Sequence, residues 1–421
     1  MPLRKTRISI GANMDRLRFE REMEFLAGGS ATGLLHERET PPVPASPYIP
    51  RGLKALEHFH ERKSPIPSAR PPAASLDRLT PEGMNPGFVN KSDELIVDGT
   101  LGGLDGRLKE IMTKYMPADY RDETKAALVD LSGRKLFAPE YAGWKSTVLT
   151  VAASTAKVLP IYAAHQLVFD LNQIGKKVSG QKEIIKTFNA SLRKAGIVDG
   201  PVFNDANFRH NSSTNVFSIS DPLATHLRNI HASPGGANYA ASRAIRAVGF
   251  GYLASVIAQS GLWHNQRKGL WLRGDYAGSA WTRSPVGGYA ANCNALSLVT
   301  FFTLLAQGRL VSETASDKIK DVLRGGSWMG SAINIAMPSK SVTSFTKVGL
   351  LKKCTAWTEK DGKKICKSSI TTTRHEAGII EIEGGRYRFA IAILTTGNTS
   401  RKTVVEALSK SLAELIIDRN P

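Results

Sequence analysis

The strand-like segments of this 421-residue chain fall into two groups that lie far apart in the sequence. The first group is AALVDLSGRKLFAP, residues 126–139, in which a Ser-Gly turn separates two apolar runs. The second group occupies residues 343–397 and contains three strand patterns separated by turns. Because a domain must bury the apolar face of each sheet, the early strands are expected to pair with the late ones.

The stretch between the two groups has helical patterns at about 153–170, 238–260 and 291–307, and an amphipathic helix ends the chain. This order predicts the α+β class, with an antiparallel sheet flanked by helices and a large all-helical insert. We expect the domain to span residues 96–421. Residues 1–95 hold 12 of the 21 prolines, which predicts a basic, largely irregular N-terminal segment.

The formal net charge of +19 would suit nucleic acid, anionic lipid or an acidic polymer as a partner. The basic residues are scattered, and neither an RNA-binding aromatic signature nor zinc-ligand spacing accompanies them, so no nucleic-acid partner is expected. The closely spaced His58 and His60 do not share a helix face, so no metal site is expected there.

The sequence contains no positive signal for the location of the protein in the cell. No apolar run is long enough for a membrane span, and the N-terminus lacks the apolar core of a secretory signal. The default is therefore the cytoplasm, with export by another route left open. The sequence makes no prediction of oligomeric state.

A serine and a lysine three residues apart stand out in VAASTAKVLP, residues 151–160. At this spacing on a helix, the Lys157 ammonium lies beside the Ser154 hydroxyl. In a desolvated site the pKa of the lysine falls, and its neutral amine can take the serine proton. The alternative is an ordinary helix N-cap followed by a lysine that reaches solvent.

A second lysine occurs in the apolar strand SFTKVGLL, where Lys347 is followed by Gly349, whose lack of a side chain lets a substrate backbone come close. Together, STAK and KVG resemble the S-x-x-K and K-T/S-G motifs of the penicillin-recognising serine hydrolases. These include serine β-lactamases, D,D-peptidases and related esterases. The resemblance covers roughly residues 100–420 and implies a β-lactamase-like fold.

The middle motif of that family, Ser/Tyr-x-Asn, has two candidate positions. Alignment on the helix that begins NYAAS places it at GAN, residues 236–238, which keeps Asn238 but lacks the hydroxyl. Ser233 and Tyr239 are close enough in sequence to supply that hydroxyl. The rival is STN, residues 213–215, whose surroundings resemble an irregular loop; Asn238 is therefore preferred.

The resemblance implies an acyl-enzyme mechanism on an amide or ester substrate, for example a small peptide of the cell-wall type, without metal or other cofactor. It implies that Ser154 is the nucleophile and Lys157 the general base. Asn238 would hold the substrate amide and Lys347 its carboxylate, and the backbone N–H groups of Ser154 and Leu350 would form the oxyanion hole. The alternative is a catalytically degenerate binding protein of the same fold.

One departure from the family concerns deacylation. The segment KGLWLRGDYAGSAWTRSPVGG lacks the glutamate that activates water in class A β-lactamases, and Asp275 is its only carboxylate. Efficient class A β-lactamase activity is therefore not expected, whereas peptidase, esterase or acyl-transfer activity is.

The cysteines leave two alternatives open. If an odd-numbered turn is centred on Lys360, Cys354 and Cys366 face each other within bridging distance. If Asp361-Gly362 forms a two-residue turn, Cys354 faces Ser369 and no bridge is expected. A bridge would favour an oxidising compartment and would leave Cys293 as the free cysteine.

Overall fold

The structure is a computed structural model. The structure describes residues 103–116, 118–195, 197, 199–232, 236–264, 268–272, 274–276, 291–360, 363–397 and 402–421. The N-terminal segment 1–95, with His58 and His60, lies outside these residues, so its predicted irregularity stays a prediction.

The secondary structure alternates short strands with helices before it ends in three long strands and a helix. The strands are β1 (Thr124–Asp130), β2 (Glu140–Trp144), β3 (Thr150–Val151), β4 (Phe208–Asn211), β5 (Val216–Ile219), β6 (Trp263–His264), β7 (Lys268–Gly269), β8 (Trp271–Leu272), β9 (Ala291–Cys293), β10 (Val342–Lys360), β11 (Lys363–Ile382) and β12 (Tyr387–Thr396). The helices are α1 (Leu104–Tyr115), α2 (Ala118–Arg121), α3 (Val158–Gly175), α4 (Gln181–Lys194), α5 (Asp221–Ala232), α6 (Ala237–Val248), α7 (Phe250–Gln259), α8 (Ala295–Ala306), α9 (Glu313–Leu323), α10 (Trp328–Ala336) and α11 (Lys402–Asp418). Short 3₁₀ turns occupy Gly133–Leu136, Ala153–Lys157 and Glu383–Gly385.

The main sheet joins the two ends of the domain. Its five strands are ordered β10-β11-β12-β1-β2 and pair antiparallel throughout. Ala127 of β1 lies between Ala392 of β12 and Gly143 of β2. The predicted α+β class and the pairing of early with late strands are therefore confirmed.

Helices cover both faces of this sheet. One apolar cluster joins it to the helical insert and includes Tyr162, Phe301 and Phe302. A second cluster joins the opposite face to α1, α10 and α11 and includes Met112, Phe389 and Leu412. Because both faces are covered, β1 and β12 are buried along nearly their whole length.

Three details differ from the sequence-based expectation. The second early strand is Glu140–Trp144, because residues after the Ser-Gly turn form the 3₁₀ turn Gly133–Leu136. The insert is mainly but not entirely helical, since it contains the hairpins β4–β5 and β6–β7 and the small sheet β3-β9-β8. The helix expected from residue 153 begins as a 3₁₀ turn and becomes α-helical at Val158.

Within the described part of the chain, no helix is both long and apolar enough to cross a bilayer.

Candidate active site

The predicted nucleophile lies on a short turn between the small sheet and the first long helix of the insert. We call residues 153–157 the Ser154 turn. It is a 3₁₀ helix, in which side chains three residues apart stack over one another, so Ser154 and Lys157 share one side of it. Ser154 is partly exposed, whereas Lys157 is only 2% exposed. The turn therefore combines a partly exposed serine with a buried lysine.

The backbone that leads into this turn is strained. Ala153 has φ of +50°, a left-handed conformation that costs a residue with a side chain on the order of 1 kcal/mol. The turn is held by hydrogen bonds from Ala152 N to Ala291 O, 2.9 Å, and from Thr155 N to Ala152 O, 3.1 Å. Such strain persists only where the surrounding contacts determine the backbone, which they do here immediately before Ser154.

The Lys157 amine contacts two groups of the insert. Its Nζ donates a hydrogen bond to Oδ1 of Asn238, 2.5 Å away, and lies 4.6 Å from the centre of the Tyr276 ring. Burial lowers the pKa of Lys157 well below its usual value, and the nearby Lys347 cation lowers it further. The amine is thus set to lose its proton far more easily than a lysine in water.

Lys347, Gly349 and Leu350 lie together on β10, next to the Ser154 turn. Lys347 is 6% exposed, and burial lowers its pKa to about 8, with Glu376 opposing the shift. Its Nζ donates to the carbonyl of Val348 at 3.1 Å. Leu350 pairs with Arg374 of β11.

Gly349 has a different reason to be glycine from the one the sequence suggested. A Cβ there would lie 3.1 Å from Ala152 O and 3.2 Å from Thr155 N, both on or beside the Ser154 turn. The missing side chain thus lets β10 pass close to this turn, rather than serving only the approach of a substrate.

The two candidates for the middle motif are separated by the structure. Asn238, at the start of α6, contacts Lys157. Asn215 lies instead at the β4–β5 turn, where its Nδ2 donates to Gly175 O and Val178 O at 2.7 and 2.9 Å. Asn238 is therefore the asparagine beside the Ser154 turn, and Asn215 holds the hairpin against the end of α3.

Neither residue suggested as a source of the missing hydroxyl is seen to supply it. Ser233 lies outside the described residues. Tyr239 is 47% exposed, and its ring packs at 5.7 Å against His226. The phenol next to Lys157 belongs to Tyr276, whose hydroxyl reaches the carbonyl of Ala153 at 3.4 Å.

Tyr276 was missed in the sequence, where only its neighbour Asp275 drew attention as a carboxylate. The structure pairs Asp275 with Arg246, whose Nε and Nη2 both donate to its Oδ2, at 2.9 and 2.6 Å. The Tyr276 backbone N–H is held by Oγ of Ser242 at 3.0 Å. The tyrosine in GDYAG, beside a carboxylate under consideration, was the available signal.

A buried histidine connects the main sheet to the strand that feeds the Ser154 turn. His375 of β11 is opposite Gly349 in the register and is fully buried. Its Nδ1 accepts from Thr395 N at 3.2 Å, so its Nε2 carries the proton and donates to Val151 O at 2.8 Å. Burial lowers the pKa of His375 to about 4, which keeps the ring neutral.

The neighbouring Glu376 points to the other side of the sheet. Its Oε1 accepts from Ser327 Oγ at 2.6 Å and from Thr346 Oγ1 at 2.9 Å. Its Oε2 accepts from the backbone N–H groups of Trp328 and Met329, at 3.1 and 3.0 Å, at the start of α10. Burial raises the pKa of Glu376, and these four donors oppose that rise. Glu376 thus ties α10 to the strand that carries Lys347.

The cysteines combine features of both alternatives. Cys354 pairs with Ser369, and Lys360 with Lys363, as the two-residue turn requires. Nevertheless Cys354 and Cys366 form a disulfide, with their Cα atoms 5.7 Å apart. Register shifts between Cys354 and Trp357 explain this, because the bulge brings Cys366 opposite Trp357 and within reach of Cys354. Cys293 is free and buried.

The described residues contain no group of three or more His, Cys, Asp or Glu side chains arranged to hold a metal ion.

One protein-family model matches part of this chain, and several solved structures are similar to it. The Beta-lactamase2 model, described as the beta-lactamase enzyme family, matches residues 237–419. This range contains Asn238, Lys347 and Gly349 but begins after Ser154 and Lys157. The match confirms the resemblance to the penicillin-recognising serine hydrolases. No curated protein matches the chain.

Solved structures match over about three quarters of the chain at low identity. "Structure of PBP-A" is 14% identical and covers 75% of this chain and 97% of that one, with a TM-score of 0.44. The TLA-3 extended-spectrum beta-lactamase is 13% identical, with coverage of 75% and 100% and a TM-score of 0.47. A class A beta-lactamase from Bacteroides cellulosilyticus DSM 14838 is 12% identical, with coverage of 75% and 97% and a TM-score of 0.43.

Proposed function

We propose that this chain, which resembles the penicillin-recognising serine hydrolases, is a serine hydrolase or acyltransferase that works through an acyl-enzyme. The observation that carries the proposal is the buried amine of Lys157, which lies on the same turn as Ser154. Its pKa is lowered, and it donates a hydrogen bond to Asn238 of α6. A lysine that merely follows the N-cap of an ordinary helix would reach solvent and keep its usual pKa.

In the proposed reaction, Ser154 Oγ attacks the carbonyl carbon of an amide or ester while neutral Lys157 takes its proton. The backbone N–H groups of Ser154 and Leu350 stabilise the oxyanion of the tetrahedral intermediate. Lys157, now an ammonium, returns the proton to the leaving nitrogen or oxygen, and the carbon–leaving-group bond breaks. The acyl group remains on Ser154 until water or a second nucleophile accepts it.

The substrate is held by the other motif residues. The side-chain N–H of Asn238 donates a hydrogen bond to the carbonyl oxygen of the substrate amide. The Lys347 ammonium binds the carboxylate of the substrate. We propose a small peptide of the cell-wall type as the substrate class. The disulfide between Cys354 and Cys366 supports an oxidising compartment, where such peptides are also found.

Slow hydrolysis of the acyl-enzyme follows from the surroundings of Lys157. Among the described residues, the Lys157 amine contacts Asn238 and Tyr276 and lies near the Lys347 cation. The carboxylate of Asp275 is paired with Arg246. Water activation by a carboxylate, as class A β-lactamases use it, therefore has no described candidate here. This favours peptidase, esterase or acyl-transfer activity over efficient β-lactamase activity.

The test is covalent labelling with a fluorophosphonate or a penicillin, followed by mass spectrometry of the labelled peptide. We expect one adduct, on Ser154, which Ser154→Ala abolishes without unfolding the protein. Ser213→Ala is the matched control, because Ser213 is exposed and belongs to the rival STN motif. An adduct that survives in Ser154→Ala would contradict the proposal.

The second candidate is a degenerate binding protein. Two departures favour it: Gly236 stands where the middle motif has a hydroxyl, and Val348 stands where the third motif has threonine. Reversible binding of a penicillin or wall peptide, with no adduct on Ser154 at any pH between about 6 and 10, would select this alternative.

A further inference from the structure

The strands β10 and β11 are much longer than the sheet to which they belong. They run for 19 and 20 residues, whereas β12 has 10. Pairing of β11 with β12 ends at Thr373 and Thr396, while pairing of β11 with β10 continues to Lys363 and Lys360. We call residues 352–360 and 363–371 the hairpin arm. Among the described residues its two strands pair only with each other, and the arm extends beyond the pairing of β11 with β12.

The hairpin arm starts directly beside the candidate site. Lys352 is three residues after Gly349, which packs on the Ser154 turn. At about 3.3 Å per residue, the arm begins roughly 10 Å from that contact and runs for about 30 Å. A chain that enters the site along β10 would therefore continue onto the arm.

The sequence of the arm is strongly positive, and the three of its lysines whose burial is described are exposed. The sequence 352–371 contains six lysines against Glu359 and Asp361. Lys352, Lys353 and Lys367 are all exposed. Apolar side chains lie among them, since Trp357 is 37% and Ile370 54% exposed. A solvated loop would not need this combination of cations, exposed apolar side chains and a disulfide.

No described residue pairs with the outer edge of the arm. β10 is the edge strand, and in the described part of the chain its outer side has only the short bridge of Arg324 and Gly325 with Phe345. That bridge lies before Lys347, on the side away from the arm. An extended peptide could add to this edge by main-chain hydrogen bonds, as occurs in strand-addition complexes.

Neither the N-terminal residues 1–102 nor a second copy of the chain has the net negative charge that the arm would attract. Residues 1–102 contain 14 lysines and arginines against 13 aspartates and glutamates, so they are nearly neutral. A second copy of the chain carries the same net charge of +19 and would be repelled. Charge complementarity therefore points to a different molecule that is acidic.

We infer that the hairpin arm binds an acidic, extended peptide, which pairs with the outer edge of β10 and carries its acidic groups against the lysines. The inference rests on the proposed function, because it describes the substrate class of that site: a peptide with several carboxylates that continues beyond the bond attacked by Ser154. A peptide is favoured over nucleic acid because only a peptide satisfies the main-chain groups of an edge strand.

The experiment measures binding of fluorescently labelled poly-L-glutamate to full-length Ser154→Ala protein by anisotropy. The test variant is Lys352→Glu/Lys353→Glu/Lys367→Glu. The matched control is Lys182→Glu/Lys194→Glu/Lys410→Glu, which changes the net charge equally at exposed lysines on α4 and α11. We expect the test variant to bind at least about tenfold more weakly and the control to stay within about threefold.

Two further measurements add to the test. Trp357→Ser should also weaken binding, because its exposed ring lies among the lysines. In protein that retains Ser154, poly-L-glutamate should slow penicillin labelling, and the triple arm variant should lose this protection. Circular dichroism of each variant checks that loss of binding is not loss of fold.

Three results would overturn the inference: no binding of poly-L-glutamate, equal losses in the two triple variants, or tighter arm-dependent binding of duplex DNA. The outcome is separable from that of the proposed function. Arm-dependent peptide binding without any label on Ser154 would support the arm and contradict the hydrolase. Labelling of Ser154 without peptide binding would support the hydrolase and contradict the role of the arm.

Discussion

His375 of the main sheet donates a hydrogen bond from Nε2 to the carbonyl of Val151, 2.8 Å away, two residues before the strained Ala153. The direction of this bond is determined, because Nδ1 already accepts from Thr395 N. The main sheet, which carries Lys347, is thereby linked to the turn that carries Ser154. This makes His375 a positioning residue in the proposed reaction.

Replacing His375 tests that link. His375→Leu removes the donor, and we expect the maximal acylation rate to fall roughly 10- to 100-fold, since small displacements of a nucleophile have effects of this size. His375→Gln can still donate from its side-chain amide to Val151 O and should recover part of the rate. The measurement is stopped-flow labelling at saturating penicillin, with binding read separately. Equal rates in the leucine and glutamine variants would contradict the positioning role.

The pH dependence of acylation tests the state of Lys157. Its lowered pKa means that the neutral amine becomes populated below the usual lysine range, so the acylation rate should rise with pH and level off above that pKa. Lys347→Met removes the neighbouring cation, so the pKa of Lys157 and the rising limb should move to higher pH. Lys347→Arg keeps the charge and is the control. Rates measured with a carboxylate-free ester avoid any effect on binding.

Although the acylation rate should rise with pH, the binding of carboxylate substrates by Lys347 should weaken as the pH rises. Below a pKa of about 8 the Lys347 side chain is an ammonium, and above it the charge that attracts a carboxylate is lost. KM for a substrate with a free carboxylate should therefore rise as the pH increases through about 8. KM for the corresponding amide should stay level, and a parallel rise in both would contradict this role.

Glu376 gives a stability prediction that is separate from catalysis. Glu376→Leu leaves two hydroxyls and two backbone N–H groups around α10 without their acceptor, so we expect a loss of about 3 kcal/mol in the free energy of unfolding. Glu376→Gln keeps one acceptor oxygen and should lose about 1 kcal/mol. Urea unfolding measures both, and similar stabilities of the two variants would contradict the network.

The disulfide predicts one free thiol in the unfolded, unreduced protein, from Cys293. In Cys354→Ser/Cys366→Ser, the loop between the two cysteines is no longer closed, and the arm should open more often. Hydrogen exchange should accelerate in the hairpin arm, while the amides of β12 keep their protection because they lie in the five-stranded core. Three free thiols in the unmodified protein would contradict the bridge.

The sequence was sufficient where a pattern is local or strongly apolar. The strand patterns at the two ends of the domain predicted the α+β order, because β-branched and apolar runs such as that of β12 have few other stable arrangements. The spacing of Ser154 and Lys157 predicted that their side chains would share one side of a turn, since this depends only on helical geometry.

Only the tertiary structure determined which residues from distant segments contact Lys157 and the backbone around the Ser154 turn. Asn238 and Asn215 both followed plausible motifs, but only the packing of α6 against α3 brought an asparagine to Lys157. Tyr276 contacts Ala153 of the Ser154 turn from 123 residues later in the chain. His375 contacts Val151, in the strand before that turn, from 224 residues later. The disulfide depended on a bulge in β10 and β11, which shifts the register that the turn alone would impose. Sequence determined which segments form strands and turns because those preferences are local, whereas contacts over such separations depend on how the segments pack.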